Sequence, residues 1–556
     1  MYTQVFDPVG DSLSLSSIFA ALPLLILFVL IGVVRMAAQW AALIGLSVAL
    51  LVAIVIYDMP LGQSLDSGLE GAAFGLFPIM WIVVNAIWIY TMTVESGHFN
   101  VLRRSFTSIS NDQRIQAVII AFCFGALIEA LAGFGTPVAI SAVMLLALGL
   151  APIKAASVAL VANTAPVAFG AIAIPIITLA GVTELPKDDL GAMVGRQTPL
   201  LALIVPLILI GMVDGKRGIR QTWPAAVAGG FTFALSQFIC SNYVSVELTD
   251  VVASLLSAGA VVLLLQVWQP SEPLLGEKGG PRPAIAGAAT EDAKFEAMVH
   301  RRSDATHDTR LDIIEAYAPY GIIIAVLAIA QIGFIKDALA GPTQLLDWPG
   351  LNIRNPAGEP ISSTTYAFNW LGATGTLMFI SGVLTAIALR LDPRHALRAY
   401  AATLKQLKWA IVTVAAVLAL AYVMNQSGQT STLGLWLAGA GGAFAFISAA
   451  LGWLGVAITG SDTSSNALFG ALQVTAAKNA GLSPTLMAAA NSSGGVLGKM
   501  ISPQNLAIGA AAVGLAGKEG DVFRRVLGWS LVLLVAMCVI VLLQSTGLFD
   551  WMVVGE

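Results

Sequence analysis

Charge is what this sequence has least of. Asp, Glu, Lys and Arg make up 11% of its 556 residues and hydrophobic side chains 57%, where a soluble domain carries roughly 25% and 45–50%. A water-soluble globule is excluded. The 28 basic side chains nearly cancel the 32 acidic ones, leaving a net charge of −4, so the chain lacks the electrostatic footprint of a nucleic-acid binder. Cys123, Cys240 and Cys538 each stand alone inside an apolar run, far from any metal-ligand or CxxC spacing, and read as packing residues. His98, His300, His307 and His395 lie in polar segments, which makes histidine a poor intramembrane proton carrier. No Gly-rich stretch ends in the Lys-Ser/Thr pair of a nucleotide site. Neither an enzyme nor a cofactor or metal is expected. The residues before the first apolar run include Asp7 and Asp11 and lack a basic n-region, so that run is expected as a retained helix.

What is there is apolar sequence in span-sized pieces, at a mean hydropathy of +0.84. An all-α polytopic membrane protein is expected. Crossings fall near 15–34, 38–57, 69–93, 155–180, 190–213, 222–242 and 250–268, then near 313–334, 371–389, 409–427, 484–510 and 524–546. Between the two sets, 269–312 is rich in Pro, Gly and charge and reads as a solvated linker. Basic residues cluster in cytoplasmic loops. Here 21 of the 28 Lys and Arg fall at Arg35, 98–114, 214–221, the linker, 390–408 and 517–525. Placing those loops in the cytoplasm puts both termini outside with about twelve crossings. Trp81, Trp88 and Trp370 are expected in the interfacial aromatic belt.

Two apolar stretches, 115–150 and 443–481, remain over. Each is interrupted, by Gly133-Phe134-Gly135-Thr136-Pro137 and by Gly460-Ser461-Asp462-Thr463-Ser464-Ser465-Asn466. Irregular backbone at membrane depth survives only inside protein or around a wet cavity, and the charge count returns each stretch to the side it entered. Both read as re-entrant helical hairpins. The halves also match at an offset near 331: Val94-Glu95-Ser96-Gly97 with Asn425-Gln426-Ser427-Gly428, and Gly149-Leu150-Ala151-Pro152 with Gly481-Leu482-Ser483-Pro484. Each Gly-Leu-x-Pro turn leads into a helix expected to break at an asparagine, Asn163-Thr164 in one and Asn491-Ser492-Ser493 in the other. By the charge count Gly97 and Gly428 lie on opposite sides. The expectation is two inverted-topology repeats, 1–268 and 313–556, joined by a cytoplasmic linker, an arrangement suited to alternating access in secondary transport. Chance similarity between Ala/Gly-rich helices is the competing account.

Four helix breaks converging at midplane offer unpaired N–H groups to an anion. Gly133, Phe134, Gly135, Thr136, Asn163, Thr164, Ser461, Thr463, Ser464, Asn466, Asn491, Ser492 and Ser493 are the candidate substrate-binding residues, with Lys499 as countercharge to a carboxylate. Ionisable groups inside apolar segments are costly and mark function by default; Glu129 and Asp462 are the candidate proton carriers. The alternative is that one of them forms a structural ion pair with Lys499 or Arg196. Glu70 and Glu95 read as interfacial.

Two runs resemble the L-lactate permease family closely. One is Glu129-Ala130-Leu131-Ala132-Gly133-Phe134-Gly135-Thr136-Pro137-Val138-Ala139. The other runs from Thr459 through Asn466 and on through Asn491-Ser492-Ser493-Gly494-Gly495-Val496-Leu497-Gly498-Lys499-Met500-Ile501-Ser502-Pro503-Gln504-Asn505. The resemblance covers essentially the full length, linker included. It implies uptake of L-lactate, D-lactate and glycolate by proton symport across the bacterial cytoplasmic membrane, and a wider kinship with ion-transporter folds that carry two re-entrant hairpins. The expected partners are a small monocarboxylate, a proton and the lipid bilayer. A sodium-coupled carboxylate transporter of the same fold and an anion channel stand as alternatives.

Overall fold

The computed structural model describes residues 1–556 apart from Arg35, Ser108, Phe134, 275–307, Gln331, Ala516, Gly517 and Glu556. Most of the expected 269–312 linker therefore lies outside the described residues. Among the described residues ten helices are long and apolar enough to cross a membrane. Lipid offers backbone N–H and C=O groups no partners, so a chain this apolar satisfies them within helices.

The ten are not the expected twelve: 190–213 and 222–242 fall in one segment, the expected crossings 155–180, 371–389 and 484–510 are broken or short helices, and Gln113–Leu131 and Gly441–Thr459, arms of the two interrupted stretches, are long enough to count. Leu61–Phe74 continues through Gly75–Met80 into Trp81–Glu95 and opens only at Phe77 (φ −138°, ψ 118°). The crossings expected at 190–213 and 222–242 are joined within Val205–Tyr243, where Gly215 (φ 62°, ψ −150°) reverses the chain. A side chain at Gly215 would strain that conformation. The crossing expected at 409–427 begins at Pro393, behind an Asp392 N-cap, and runs 35 residues to Ser427. The basic stretch before Trp409 is built of good helix formers and simply prolongs the helix. Trp81 and Trp88 are not belt residues. Both stack on Phe379, and Trp88 Nε1 donates to Ala396 O at 2.9 Å, so they pack the Thr374–Ala388 helix onto its neighbours.

The segments expected on each side gather at opposite ends. At one end Tyr2–Thr3 pairs in parallel with Ile353–Arg354, beside an unanticipated antiparallel pair, Gln344–Asp347 with Thr365–Phe368. The N-terminal strand caps the Pro393–Ser427 helix: Tyr2 Oη donates to Ser427 O at 2.8 Å, and Gln4 Nε2 to Asn425 O and Gln426 O at 2.9 Å. These are carbonyls a helix end leaves unpaired. At the other end Arg114 donates to Asp112 Oδ2 at 2.7 Å, Asp214 Oδ2 at 3.0 Å, Gln221 Oε1 at 2.6 Å and Glu272 O at 2.6 Å. The basic loops 98–114 and 214–221 and the start of the linker thus meet on one face. Burial works to raise the Asp112 carboxyl, but its hydrogen bonds and the Arg114 guanidinium hold it below its usual range.

The two leftover stretches fold back on themselves. Gln113–Gln116, Ala117–Phe124 and Gly125–Ala132 form one rod, and the chain turns at Gly133–Gly135 to return as Thr136–Ala147. Ser141 Oγ donates across this hairpin to Ile120 O at 3.4 Å, and Gln113 Nε2 to Leu148 O at 2.8 Å at its root. In the second hairpin Phe444–Thr459 turns at Gly460 into Asp462–Ala480, held by Ser465 Oγ to Gly452 O at 3.1 Å and Ser448 Oγ to Gln473 Oε1 at 2.8 Å.

Helix Pro484–Gly498 lies against Phe444–Thr459 with its backbone almost touching. A Cβ on Gly452 would overlap the carbonyl of Asn491, one on Gly494 that of Ala449, and one on Gly498 that of Trp453. Small residues permit such approach, which stands in for the hydrophobic drive that lipid removes. Gly494→Ala is expected to lower stability by about 1–3 kcal/mol through overpacking. A thermal melt in detergent checks this, and an unchanged midpoint contradicts the close approach.

Candidate functional site

Four interruptions of helical backbone meet inside the molecule. The first hairpin turns through Gly133 (φ 42°) and Gly135 (φ 82°), and the second through Gly460 (φ 77°). Ser461 caps the returning helix, its Oγ accepting from Ser464 N at 3.2 Å. The third lies between Pro152–Ala162 and Gly170–Thr183, where Ala171, Ile172 and Ala173 all take left-handed φ of 45°, 58° and 57°. Left-handed non-glycine residues cost of order 1–3 kcal/mol each and persist where the surroundings impose them. The fourth separates Pro484–Gly498 from Pro503–Ala512.

That fourth break is not where it was expected. The helix runs unbroken through Asn491, Ser492, Ser493 and Gly494 and opens at Lys499–Ser502. Pro503 is the cause, because proline pushes its predecessor out of the helical region, and Ser502 is extended (φ −66°, ψ 140°). Asn491 stays helical with its amide engaged sideways: Nδ2 donates to Asn466 Oδ1 at 2.9 Å, and Oδ1 accepts from Gln473 Nε2 at 3.1 Å.

The later break puts Lys499 at the centre. Its Nζ donates to Glu129 Oε1 at 2.6 Å, with the two side chains 8% and 4% exposed. With its amide nitrogen towards Glu129, Asn163 donates to Oε2 at 3.1 Å and its oxygen accepts from Lys499 Nζ at 3.3 Å. Gly170 gives the pair room, since a Cβ there would meet Glu129 Oε1 at 2.8 Å. Glu129 and Lys499 are therefore an ion pair; Arg196 is elsewhere, bonded to Asn242 Oδ1 and Met552 O at 2.9 Å each. Asp462 is not bonded to Lys499. Its Oδ2 accepts from Ser492 Oγ at 2.6 Å and from Asn466 Nδ2 at 3.4 Å, while buried Oδ1 has no hydrogen-bond partner among the described residues.

A cavity of about 490 Å³ adjoins these groups. Of the residues singled out from sequence, Glu129, Gly133, Ser461, Asp462, Thr463, Ser464 and Lys499 line it. Asn163, Asn466, Asn491 and Ser492 stand behind that wall and hold it. Gly135 packs on Ile508 and Asn505 instead, Thr136 N closes the tip on Gly133 O at 3.1 Å, and Thr164 Oγ1 bonds Val161 O at 2.7 Å. Ser493 is buried with its hydroxyl unpartnered, and Phe134 lies outside the described residues. The facing wall was not anticipated: Gln39, Trp409 and Thr413, with Gln504 at the second tip. It reaches exposed Ala37 in the turn after the first helix, at the end that carries the basic loops. Asn505 was quoted in a motif but given no role; its Nδ2 donates to Gly460 O at 3.3 Å and Ser502 Oγ at 2.8 Å, tying the second tip to the fourth break. Asp250 was missed altogether. It is fully buried, accepts from Gln237 Nε2 at 2.9 Å, and Gln237 Nε2 also donates to Ala165 O in the third break.

The arrangement presents one buried cation, two carboxylates and the N-terminus of Asp462–Ala480 to a cavity of small-molecule size. The sequence model described as L-lactate permease matches residues 16–547. The chain belongs to the L-lactate permease family. It is 41% identical to the L-lactate permease of Bacillus subtilis (strain 168), over 99% of this chain and 100% of that one. Against the L-lactate permease of Escherichia coli (strain K12) it is 41% identical over 100% of both. It is 39% identical to the glycolate permease GlcA of that strain, over 98% of each. Among solved structures, the YdaH transporter of Alcanivorax borkumensis aligns over 85% of this chain and 86% of its own at a TM-score of 0.42 and 16% identity. The corresponding values for MtrF of Neisseria gonorrhoeae are 86%, 82%, 0.45 and 15%. With its apolar helices, family membership makes this a multi-pass transporter of the bacterial cytoplasmic membrane.

Removing one member of a buried ion pair strands the other. Lys499→Met is expected to cost on the order of 3–5 kcal/mol of stability, and adding Glu129→Gln is expected to restore part of it. Melting of the two single variants and the double variant, read as a cycle, checks this; additive losses would mean the two side chains do not interact.

Proposed function

We propose that the protein takes up 2-hydroxymonocarboxylates, lactate and glycolate among them, by proton symport, using two inverted repeats whose hairpin tips form the site. The observation that carries this is the single buried ammonium of Lys499, shared by Glu129 and the cavity. A substrate carboxylate entering the cavity competes with Glu129 for Lys499 Nζ, and the N-terminal N–H groups of Asp462–Ala480 supply further donors. Its hydroxyl meets Ser461, Thr463 or Ser464. Relatives named as lactate and glycolate permeases support this substrate class. The described residues that line the cavity include no arginine, and a dicarboxylate site favours bidentate guanidinium clamps.

Asp462 is the group that takes the proton. It stands at the helix N-terminus that the substrate carboxylate would also occupy, and two anions at one terminus repel. Protonating Asp462 Oδ1, which has no hydrogen-bond partner among the described residues, makes room for the substrate charge. Proton and monoanion then enter together, and the loaded site carries the same net charge as the empty one. The membrane potential, worth about 2.3 kcal/mol per charge per 100 mV, does not oppose the cycle. Sodium at the two asparagines is less favoured, because the Asn163 oxygen accepts from Lys499 and the Asn491 oxygen from Gln473.

Proteoliposomes with an inward proton gradient are expected to accumulate labelled lactate, equally in sodium and in choline. Asp462→Asn is expected to abolish gradient-driven accumulation yet keep lactate exchange at equal concentrations. Accumulation by Asp462→Asn at the wild-type level would remove the proton from this residue, and dependence on sodium would overturn the coupling ion.

A further inference from the structure

Away from the transport site, a second cavity of about 700 Å³ lies at the basic end, lined by Lys216, Arg217, Arg220, Trp223, Trp268 and their neighbours. The reversal at Gly215 creates it, by starting the Lys216–Tyr243 leg at that surface. Helix Thr249–Val267 ends there, with Trp268 extended (φ −139°, ψ 137°) at its C-cap. Lys216 and Arg220 are four residues apart and so share a helix face, with Trp223 less than one turn on. Of the three cations only Arg217 has a carboxylate partner among the described residues, Glu272 at 2.9 Å, and that pair is exposed at 59% and 63%. Among the described residues the lining itself carries three cations and no carboxylate, and Asp112 and Asp214 are taken up by Arg114.

What lies beyond the cations decides which anion it suits. From the cavity an apolar stripe runs down the same helix at four-residue intervals: Ile219, Trp223, Val227, Phe231, Leu235 and Ile239, each 38–55% exposed. At 1.5 Å per residue it is about 30 Å long, the thickness of the hydrocarbon core. Leu263 and Val267 of the adjoining helix, 64% and 86% exposed, extend it sideways just below Trp268. Tryptophan at such a level marks the boundary between hydrocarbon and headgroups. A cationic cavity between two helices at that boundary, continuous with exposed apolar surface, has the two halves of a phospholipid written into it.

We propose that this cavity is a binding site for the headgroup of an anionic phospholipid in the cytoplasmic leaflet, with the acyl chains along the half of the stripe nearest the cavity, from Trp223 through Phe231. The occupant reaches the transport machinery through one link. Gln221, a cavity residue, accepts from Arg114, which stands at the root of the first hairpin. Lipid occupancy thereby steadies the end of the hairpin whose tip lies beside Lys499.

The test is lipid titration of the purified full-length protein in detergent, read by native mass spectrometry and by melting temperature. Phosphatidylglycerol and cardiolipin are expected to stay bound and raise the melting temperature, whereas phosphatidylcholine and inorganic phosphate at matching concentrations do neither. Replacing all three cations (Lys216→Gln, Arg217→Gln, Arg220→Gln) is expected to weaken anionic-lipid binding roughly 100-fold, at about 1 kcal/mol per basic residue. Arg220→Gln alone, which breaks no ion pair among the described residues, is expected to weaken it roughly fivefold on the same constant and keeps the test open if the triple variant does not fold. Equal retention of phosphatidylcholine, or wild-type binding by the variants, overturns the proposal. Displacement of lipid by inorganic phosphate at matching concentration does so too, because it makes the cavity a free-anion site.

Discussion

An ammonium group buried in an apolar protein imposes conditions on everything near it. Lys499 is tolerated because Glu129 sits at 2.6 Å, and that pair is tolerated in turn because Asn163 supplies polar contact to both members. Desolvating two charges costs several kcal/mol per ion, and only good geometry repays it. The geometry here draws on separate parts of the chain. Glu129 comes from the rising arm of the first hairpin, Asn163 from the end of Pro152–Ala162, and Lys499 from the end of Pro484–Gly498. None of these helices can shift alone without leaving a charge or an amide unpaired.

The broken backbone around the pair follows from the same requirement. Side chains pointing from intact helices leave little room between them for a ligand, whereas breaks expose N–H and C=O groups and open a volume. Each break then has to satisfy what it exposes. Thr459 Oγ1 accepts from Ser461 N at 3.3 Å, Ser461 caps the helix behind it, and Asn505 holds the Gly460 carbonyl. At the third break the chain turns left-handed through Ala171–Ala173, held by nearly complete burial. Asn466 Nδ2 reaches across to Pro175 O at 3.1 Å, joining this strained turn to the Asp462 network. Three left-handed residues stand in a row there, whereas the other left-handed non-glycines among the described residues, Asp11, Asp58, Glu184 and Arg390, stand singly.

Scarcity made much of this legible from sequence. A carboxylate or ammonium inside an apolar run stands out, so Glu129, Asp462 and Lys499 were singled out without any knowledge of distance, and the glycine clusters beside them marked both turns. The position of the fourth break was also readable, since Ser502-Pro503 is the stronger stop signal; the asparagine at 491 drew attention away because asparagine in a helix suggests an end, and here its partners are on other helices. The facing wall left no such trace. Gln39 lies in the first turn of its helix, where polar residues are ordinary, Thr413 lies midway along Pro393–Ser427, and only tertiary packing brings them to the cavity. Asp250 sits in the first turn of its helix, a common place for aspartate, and nothing local distinguishes a buried one from an exposed one. Trp81 and Trp88 misled for the converse reason, as aromatic residues in a span that pack inward.

Cavity size and charge together narrow the cargo further than either alone. A volume of about 490 Å³ would admit molecules larger than a three-carbon acid, so size does not select lactate. Charge is the sharper filter. Lys499 is the sole cation lining the cavity among the described residues, and Glu129 already neutralises it. A monoanion can take the place of Glu129 at Nζ while the displaced carboxylate keeps its contact with Asn163. A dianion would bring a second charge that no cation among the described lining residues meets, and a neutral solute would leave Lys499 paired as before and gain nothing from the ammonium. On the proposed reading, selection for one negative charge on a small polar body arises from the exchange of partners at a single nitrogen.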